Sequence, residues 1–289
     1  MGICLSCGNF KFLRRLIRKG YKPVISFGNM KKSKEGLTLV LSGGGAKCLS
    51  QIGVLEVLKE NNIPIRRIIG TSGGALVGGF YAAGKLDDLK KLFLNMTKKD
   101  IVKIFFSFPS ADSVFASKNM DDILKKFLKH VKIEDMNIPF TAVSFDISNG
   151  KKILLRKGSL FEAIRSSISI PGIFKPLKIG KLLLVDGGVS EVLPVDIARK
   201  YKNKILAVNV EVYNNTKPKD YNLIKIIEDS VLFQTKELAK IQEKYADFVI
   251  HINTDVKYFE FYRAKELIAH GKDAAKKILP KIKRILEKE

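Results

Sequence analysis

Short apolar runs alternate with amphipathic stretches from Gly36 onward, and this alternation predicts strands and helices in turn. The residues 37–41 form one apolar run and the residues 65–69 form another. Between them, the segment 46–60 carries Ile52, Leu55 and Leu58 on one side of a predicted helix. Two strands joined by a helix make a βαβ unit, whose strands are parallel and whose crossover is right-handed. The pattern therefore predicts an α/β protein.

The rest of the chain continues this alternation. Asn149 and Gly150 separate two strand-like runs, which is a strong signal for a hairpin. Further strands are predicted over 140–148, 152–157, 181–185, 205–212 and 248–252. Helices are predicted over 75–96, 119–129, 160–168, 194–201, 221–243 and 258–288, the last one interrupted at Gly271 and Pro280. We expect one domain over residues 36–289, with the C-terminal helices included.

The composition is ordinary for a globular protein, but the charge is not. Of 289 residues, 46% are apolar and 28% are charged, which suffices for a sizeable core. The chain has 52 Lys and Arg against 29 Asp and Glu, a formal net charge of +23. This excess indicates an anionic partner, either a membrane surface or nucleic acid. No apolar run approaches the roughly 18 residues that a membrane-spanning helix needs, so we do not expect an integral membrane protein.

Residues 1–35 differ in character from the rest of the chain. The first 34 residues contain nine Lys or Arg and no acidic residue. Phe10, Leu13 and Ile17 fall at helical spacing among these basic residues, which is typical of a helix lying in a membrane interface. A disordered basic arm, or a helix packed on its own domain, is the alternative. We therefore expect a separate basic segment that contacts anionic membranes transiently.

The three cysteines, Cys4, Cys7 and Cys48, are too few for a disulfide framework. This favours a reducing compartment, so we expect a cytoplasmic protein with peripheral membrane association. Cys4 and Cys7 form a single CxxC without a second pair or a nearby histidine, and we expect no metal there. The first six residues also fit the pattern for myristoylation of Gly2, with an unmodified basic tail as the alternative.

Ser72 is the strongest candidate for chemistry in the sequence. It lies in Gly-Thr-Ser-Gly-Gly, residues 70–74, between a predicted buried strand and a helix of small residues. Glycines on both sides allow a tight strand-to-helix turn that presents the serine hydroxyl as a nucleophile. The alternative is a glycine-rich connection without catalytic meaning.

A second glycine-rich turn, Ser-Gly-Gly-Gly-Ala-Lys, occupies residues 42–47 at the end of the first predicted strand. Exposed N–H groups at a helix N-terminus suit an anion, which would be a phosphate or a transient oxyanion. The GxxxxGK[ST] pattern of a phosphate loop is absent, and so is GxGxxG. Because Ser72 follows the neighbouring strand, an oxyanion hole formed by Gly43, Gly44 and Gly45 is the favoured interpretation.

A nucleophilic serine also needs a base. The three histidines, His130, His251 and His270, adjoin no motif. Asp186 ends the predicted apolar strand 181–185 and precedes two glycines, and burial there would raise its pKa and make it a better base. The alternative for Asp186 is a residue that only forms the turn.

Together these segments resemble the patatin-like phospholipase family. The resemblance rests on Gly43 to Gly45 with Lys47, on residues 70–74, on the segment from Ser167 through Pro171 to Pro176, and on Asp186 to Gly188 with Pro194. These blocks cover about residues 37–210, in the order the family has. The resemblance implies a three-layer α/β/α sandwich with a mainly parallel central sheet.

The resemblance also implies a mechanism. Ser72 would be the nucleophile, Asp186 the general base and later the acid, and the glycine-rich turn the oxyanion hole, without a histidine, a metal or an organic cofactor. The substrates would be acyl esters of phospholipids, lysophospholipids or related lipids, and no nucleic-acid partner is expected. Lys47 would either contact a phosphate head group or balance charge at the surface. Cys48 stands where the family has glycine, and we expect it to pack against a helix rather than react.

Two other interpretations stay open. An α/β-hydrolase would use Ser72 and Asp186 with His251 or His270, although only two predicted strands precede Ser72, where that fold has several. A non-catalytic basic protein that binds membranes would explain the charge alone. The apolar run 101–109 is either buried core or a flap that covers an acyl chain.

Overall fold

The computed structural model describes residues 36–105, 118–211 and 223–287. The predictions for the basic segment 1–35, for Gly2 and for the CxxC of Cys4 and Cys7 lie outside the described residues. So do the end of the predicted strand 205–212, the start of the predicted helix 221–243, and residues 106–109 of the apolar run 101–109.

A mixed, mainly parallel sheet forms the centre of the described fold. Its strands are β1 (Leu37–Leu41), β2 (Ile65–Thr71), β3 (Phe140–Asp146), β4 (Lys151–Leu155), β5 (Leu177–Ile179), β6 (Leu182–Asp186), β7 (Lys204–Asn209) and β8 (Phe248–His251). Their order is β5-β6-β3-β2-β1-β7-β8, and β4 pairs with β3. The strands from β3 to β8 along this order are parallel, whereas β4, β5 and β6 add antiparallel pairs. The predicted α/β sheet is confirmed, and β5 was not predicted.

Strand β3 brings the ends of two other strands together. Its residues Ala142 and Val143 pair with both β2 and β4, while the residues from Ser144 to Asp146 pair with both β4 and β6. Because a strand has two edges, β2 and β6 must follow one another along the same edge of β3. The parallel β2 and the antiparallel β6 therefore meet with their carboxyl ends facing each other.

Helices cover both faces of the sheet and complete three layers. They are α1 (Ser50–Glu60), α2 (Gly73–Ala82), α3 (Leu86–Leu94), α4 (Lys98–Phe105), α5 (Lys118–Leu128), α6 (Leu160–Ser167), α7 (Val195–Ala198), α8 (Leu223–Gln242) and α9 (Ala264–Leu286). Leu39 of β1 faces the larger apolar cluster, with α1, α2 and α9, and Val40 faces a smaller one, with α7 and α8. This alternation is the two-residue period of a strand buried on both faces.

The C-terminal helix differs from the prediction, because α9 continues through Gly271 and Pro280 without a break. Gly271 lies where α9 crosses α1: a Cβ atom built on it would stand 1.7 Å from the carbonyl oxygen of Ser50. On the facing helix, a Cβ on Gly53 would stand 2.0 Å from the carbonyl oxygen of Ile268. Gly271 thus permits close helix packing, and the predicted interruption there was wrong.

The apolar run 101–109 was predicted to be either buried core or a flap, and its first residues are core. Ile101 and Ile104 lie on α4 with their side chains buried in the larger cluster, while Val102 is exposed. Ile101 and Ile104 therefore belong to the core. Residues 106–109 of the run lie outside the described residues. Within the described helices, none combines the length and the apolar character required to cross a bilayer.

Candidate active site

Ser72 occupies a strained turn between β2 and α2. Its φ of 54° and ψ of −127° lie in a region that residues with a side chain rarely adopt. Glycines make this turn possible. A Cβ on Gly70 would stand 2.5 Å from the carbonyl oxygen of Gly74, and a Cβ on Gly74 would stand 2.4 Å from that of Leu41. Such a sharp strand-to-helix turn is how a serine nucleophile is presented.

A serine of helix α6 holds the turn in place. The Ser72 N–H donates to Ser167 Oγ over 2.9 Å, and Ser167 Oγ donates to the carbonyl oxygen of Val143 over 2.6 Å. The Ser167 hydroxyl therefore ties the turn to β3 and to α6 at once. The sequence placed Ser167 in a family motif without giving it this role.

Asp186 lies directly across from this turn. It ends β6 opposite Ser144 of β3, while Thr71 ends β2 opposite the adjacent residue, Val143. The Asp186 N–H donates to the Ser169 carbonyl oxygen over 2.9 Å, and Oδ1 accepts the Gly188 N–H over 2.7 Å. The other carboxylate oxygen, Oδ2, is buried and has no hydrogen-bond partner among the described residues.

Burial raises the pKa of Asp186 to about 7, although the Ser72 hydroxyl and the Gly188 N–H both act to lower it. The Ser72 hydroxyl is thus near enough to interact with the carboxylate. In the described part of the chain, no hydrogen bond of normal length and angle joins the two groups, as is common before substrate binds. A carboxylate with a pKa near neutrality is well suited to accept the serine proton.

The glycine-rich turn beside Ser72 leaves two N–H groups free. The Gly43 N–H donates to the Val192 carbonyl oxygen over 2.9 Å, and the Ala46 N–H donates to that of Tyr258 over 2.8 Å. Between them, the N–H groups of Gly44 and Gly45 have no partner within residues 36–105, 118–211 and 223–287. Of the three glycines predicted to form an oxyanion hole, only these two therefore have a donor to offer.

Lys47 is engaged in an ion pair behind this turn. Its Nζ lies 3.4 Å from Oε2 of Glu211, whose side chain is buried. Burial raises the pKa of Glu211, and the Lys47 charge partly offsets this. A Cβ on Gly44 would stand 3.1 Å from Glu211 Oε1, so the pair packs directly against the turn. Lys47 thus balances a buried charge, and no motif or spacing in the sequence signals its partner.

Cys48 is a packing residue. Its thiol is buried, Sγ lies 3.4 Å from the Ser42 carbonyl oxygen, and a Cβ on Gly73 would stand 2.6 Å from Sγ. Burial, and after it the charge of Glu211, raise the pKa of this thiol well above its usual value. Cys48 is therefore a neutral thiol that fills the space between the two glycine-rich turns.

A small apolar cavity of about 40 Å³ opens beside Ser72. Apolar side chains make up most of its lining, which includes Leu49, Leu76, Val77, Phe93, Met120, Ile168, Ile170, Phe174, Tyr258, Phe259 and Phe261. Phe93 and Phe261 are buried and stack with ring centroids 5.4 Å apart, while Tyr258 and Phe259 are half-buried. These side chains place an apolar surface next to Ser72.

None of the three histidines lies beside Ser72 and Asp186 in the described residues. His251 ends β8, three strands away from β2, and its Nε2 lies 2.9 Å from Glu243 Oε2. His130 lines a separate surface cavity, and His270 lies on α9. Neither Ser72 nor Asp186 has a histidine among its partners in the described residues. No group of three or more His, Cys, Asp or Glu side chains there is placed to hold a metal ion.

The segment that contains the whole Ser72–Asp186 arrangement matches a known family model. The model is that of patatin-like phospholipase, and it matches residues 39–199. The chain belongs to the patatin-like phospholipase family. The family resemblance seen in the sequence is confirmed.

Relatives of this patatin-like chain include both uncharacterized and named proteins. It is 36% identical over 163 residues to an uncharacterized NTE family protein of Mycobacterium bovis, covering 56% of this chain and 45% of that protein. It is 34% identical over 194 residues to a lysophospholipase NTE1 of Cryptococcus neoformans, covering 63% of this chain and 12% of that protein. The chain thus spans less than half the length of these two relatives.

Among solved structures, a crystal structure of VipD from Legionella pneumophila is 13% identical in sequence. That likeness covers 86% of this chain and 67% of the other, with a TM-score of 0.46.

Tyr258 is the site residue that sequence reasoning missed. It lies beyond the matched residues 39–199, in the connection between β8 and α9. Its carbonyl oxygen binds the glycine-rich turn and its ring lines the cavity at Ser72. No spacing or motif signals such a contact, because it arises only when the connection folds over the carboxyl ends of the strands.

Proposed function

We propose that this protein is a serine acyl hydrolase that cleaves the ester-linked acyl chains of lipids with Ser72 as nucleophile and Asp186 as base. One observation carries the proposal: a buried carboxylate with a free oxygen, Oδ2, faces the serine of a strained turn. A buried oxygen without a hydrogen-bond partner lowers the stability of the fold. A role for Oδ2 as the acceptor of the Ser72 proton explains why it is present.

Acylation would begin with transfer of the Ser72 hydroxyl proton to Asp186 Oδ2. The Ser72 Oγ forms a bond to the ester carbonyl carbon, and the carbonyl electron pair moves onto its oxygen. The N–H groups of Gly44 and Gly45 would stabilise this oxyanion, and one such donor is typically worth about 3 kcal/mol. The intermediate then collapses, and the leaving alkoxide takes the proton from Asp186.

Deacylation would repeat these steps with water as the nucleophile. Asp186 accepts a proton from the water molecule, whose oxygen attacks the carbonyl carbon of the acylated Ser72. The bond between the carbonyl carbon and Oγ breaks, and Oγ recovers a proton from Asp186. The fatty acid leaves and the enzyme returns to its starting state.

The apolar side chains beside Ser72 favour a lipid acyl chain as the group that is transferred. The cavity itself, of about 40 Å³, takes only the first carbon atoms of such a chain, and burial of each methylene contributes about 0.8 kcal/mol. The named relative is a lysophospholipase, and we extend that substrate class, together with phospholipids and related lipid esters, to this protein. The net charge of +23 supports transient contact with an anionic membrane at which such lipids are found.

The test is hydrolysis of a chromogenic medium-chain ester and of lysophospholipid by the full chain. We expect the wild-type protein to turn over both, and we expect Ser72→Ala and Asp186→Asn each to lower kcat by about a thousandfold or more while the fold is kept. Turnover of neither ester by a folded wild-type protein would refute the proposal and leave a non-catalytic lipid-binding protein.

A further inference from the structure

Tyr258 meets the catalytic site from two directions. Its backbone carbonyl accepts the Ala46 N–H over 2.8 Å, which fixes the end of the glycine-rich turn. Its ring lies against Gly45, where a Cβ atom would stand 2.6 Å from the ring carbon Cδ1. Gly45 also has a positive φ of 56°. Both this backbone conformation and the close contact with the ring require glycine at position 45.

The side chain of Tyr258 also lies near the nucleophile. Tyr258 and Ser72 line the same cavity of about 40 Å³, and the Ser72 hydroxyl acts to lower the pKa of Tyr258. Ser72 thus lies near both the Asp186 carboxylate and the Tyr258 phenol.

The phenol keeps its proton in this position. Burial, followed by the negative charges of Asp186 and Glu211, raises the pKa of Tyr258 well above its usual value. A neutral phenol is a hydrogen-bond donor, and Asp186 Oδ2 can only accept when it is ionised. The Ser72 hydroxyl can therefore accept from the phenol while its own proton points to the carboxylate.

We propose that Tyr258 is a further catalytic residue of this site, whose hydroxyl donates a hydrogen bond to Ser72 Oγ and stabilises the negative charge that develops there. The inference rests on the proposed function. It assigns a role to a residue outside the segment 39–199 that matches the family model.

The role follows from how charge moves during the reaction. When Asp186 takes the Ser72 proton, Oγ becomes more negative, and a hydrogen bond to a charged acceptor is about twice as strong as one between neutral groups. An interaction that strengthens in the transition state raises kcat rather than lowering KM. In deacylation Oγ is the leaving group, so the same donor assists again.

The test compares Tyr258→Phe with Tyr262→Phe in the full chain. Both variants lose one tyrosine hydroxyl from the same connection, but the Tyr262 hydroxyl donates to Glu260 Oε1 over 3.0 Å, away from the cavity. The measurements are the rate at which a fluorophosphonate labels Ser72, and kcat and KM for p-nitrophenyl butyrate. For Tyr258→Phe we expect labelling and kcat to fall on the order of tenfold with KM nearly unchanged, and for Tyr262→Phe no change.

A third variant, Tyr258→Leu, separates the hydroxyl from the ring. If Tyr258→Phe labels at the wild-type rate and only Tyr258→Leu is slow, Tyr258 is merely a wall of the cavity and the inference is overturned. A rise in KM for Tyr258→Phe at unchanged kcat would overturn it equally. A wild-type protein that is not labelled at Ser72 would overturn the proposed function and this inference with it.

Discussion

Ser72 and Asp186 are both held in states that cost free energy in isolation. Ser72 has a φ of 54°, and Asp186 carries a buried oxygen without a partner in the described residues. Hydrogen bonds from the Ser72 N–H to Ser167 and from Gly188 to Asp186 offset part of this cost. Strain and desolvation of this kind concentrate at functional sites, which supports assigning both residues to the chemistry.

The pKa of Asp186 leads to a prediction about pH. The base acts only when it is ionised, and burial raises its pKa to about 7. We therefore expect kcat/KM for a neutral ester to rise tenfold per pH unit below pH 6 and to level off above pH 8. A pH profile with its midpoint between 4 and 5 would show instead that Asp186 is solvated like an ordinary surface carboxylate.

At the level of elements, the position of the site could be predicted only in part. The patterns of residues 37–41, 46–60 and 65–69 are local, so the βαβ unit and the turn at Ser72 could be recognised. The meeting of β2 and β6 depends on how β3 divides its edge between them, and this is a non-local pairing. The sequence therefore singled out Ser72 and Asp186 as candidates but carried no signal that the strands ending at them meet.

The same residue type can indicate one feature in the sequence and have a different role in the folded protein, and the glycines show this. Gly271 resembles a helix end in the sequence, yet it lies inside α9 where that helix crosses α1. Likewise, Gly43 and Gly45 look equivalent, but only the Gly43 N–H is occupied, by Val192. Tertiary contacts decide between such meanings, and a single sequence does not record them.

Helix α6 should position the nucleophile through Ser167. Ser167→Ala removes the acceptor of the Ser72 N–H and the donor to the Val143 carbonyl, so we expect a loss of about 1–3 kcal/mol in unfolding free energy and a lower kcat. The matched control is Ser166→Ala, since Ser166 bonds Ser144 and Ala163 and does not touch Ser72. Stability and kcat are measured by urea unfolding and ester hydrolysis. An equal loss of kcat in the two variants would contradict this role.

The crossing of α9 and α1 should depend on Gly271. Gly271→Ala forces a Cβ to within 1.7 Å of the Ser50 carbonyl oxygen, so the helices must separate, and we expect a loss of about 3 kcal/mol in unfolding free energy. Lys276→Ala on the exposed face of the same helix is the control, with no expected change. Thermal or urea unfolding that finds Gly271→Ala as stable as the wild type would show that the crossing is loosely packed.

The net charge of +23 is spread unevenly along the chain. Nine of the basic residues lie among residues 1–34, outside the described part, and others lie on the exposed face of α9, including Lys276, Lys277 and Arg284. A basic residue near an anionic surface contributes about 1 kcal/mol to binding. Several such residues together would hold a lipid hydrolase at its substrate.

We predict that the N-terminal segment is the main membrane contact. Replacement of Arg14, Arg15 and Arg18 by Gln should lower sedimentation with anionic liposomes several-fold at low salt, since three favourable charges are lost. Replacement of Lys276, Lys277 and Arg284 by Gln changes the net charge equally and should have a smaller effect. Equal losses in the two variants would mean that only the total charge matters.

The central claim is that Ser72 is activated by Asp186 without a histidine. It is tested most directly by fluorophosphonate labelling of Ser72, followed by mass spectrometry, in a folded full-length protein whose three histidines are replaced by Gln. We predict that this protein is labelled at the wild-type rate and that Asp186→Asn is not labelled. Loss of labelling in the folded histidine-free protein, or normal labelling of Asp186→Asn, would contradict the account.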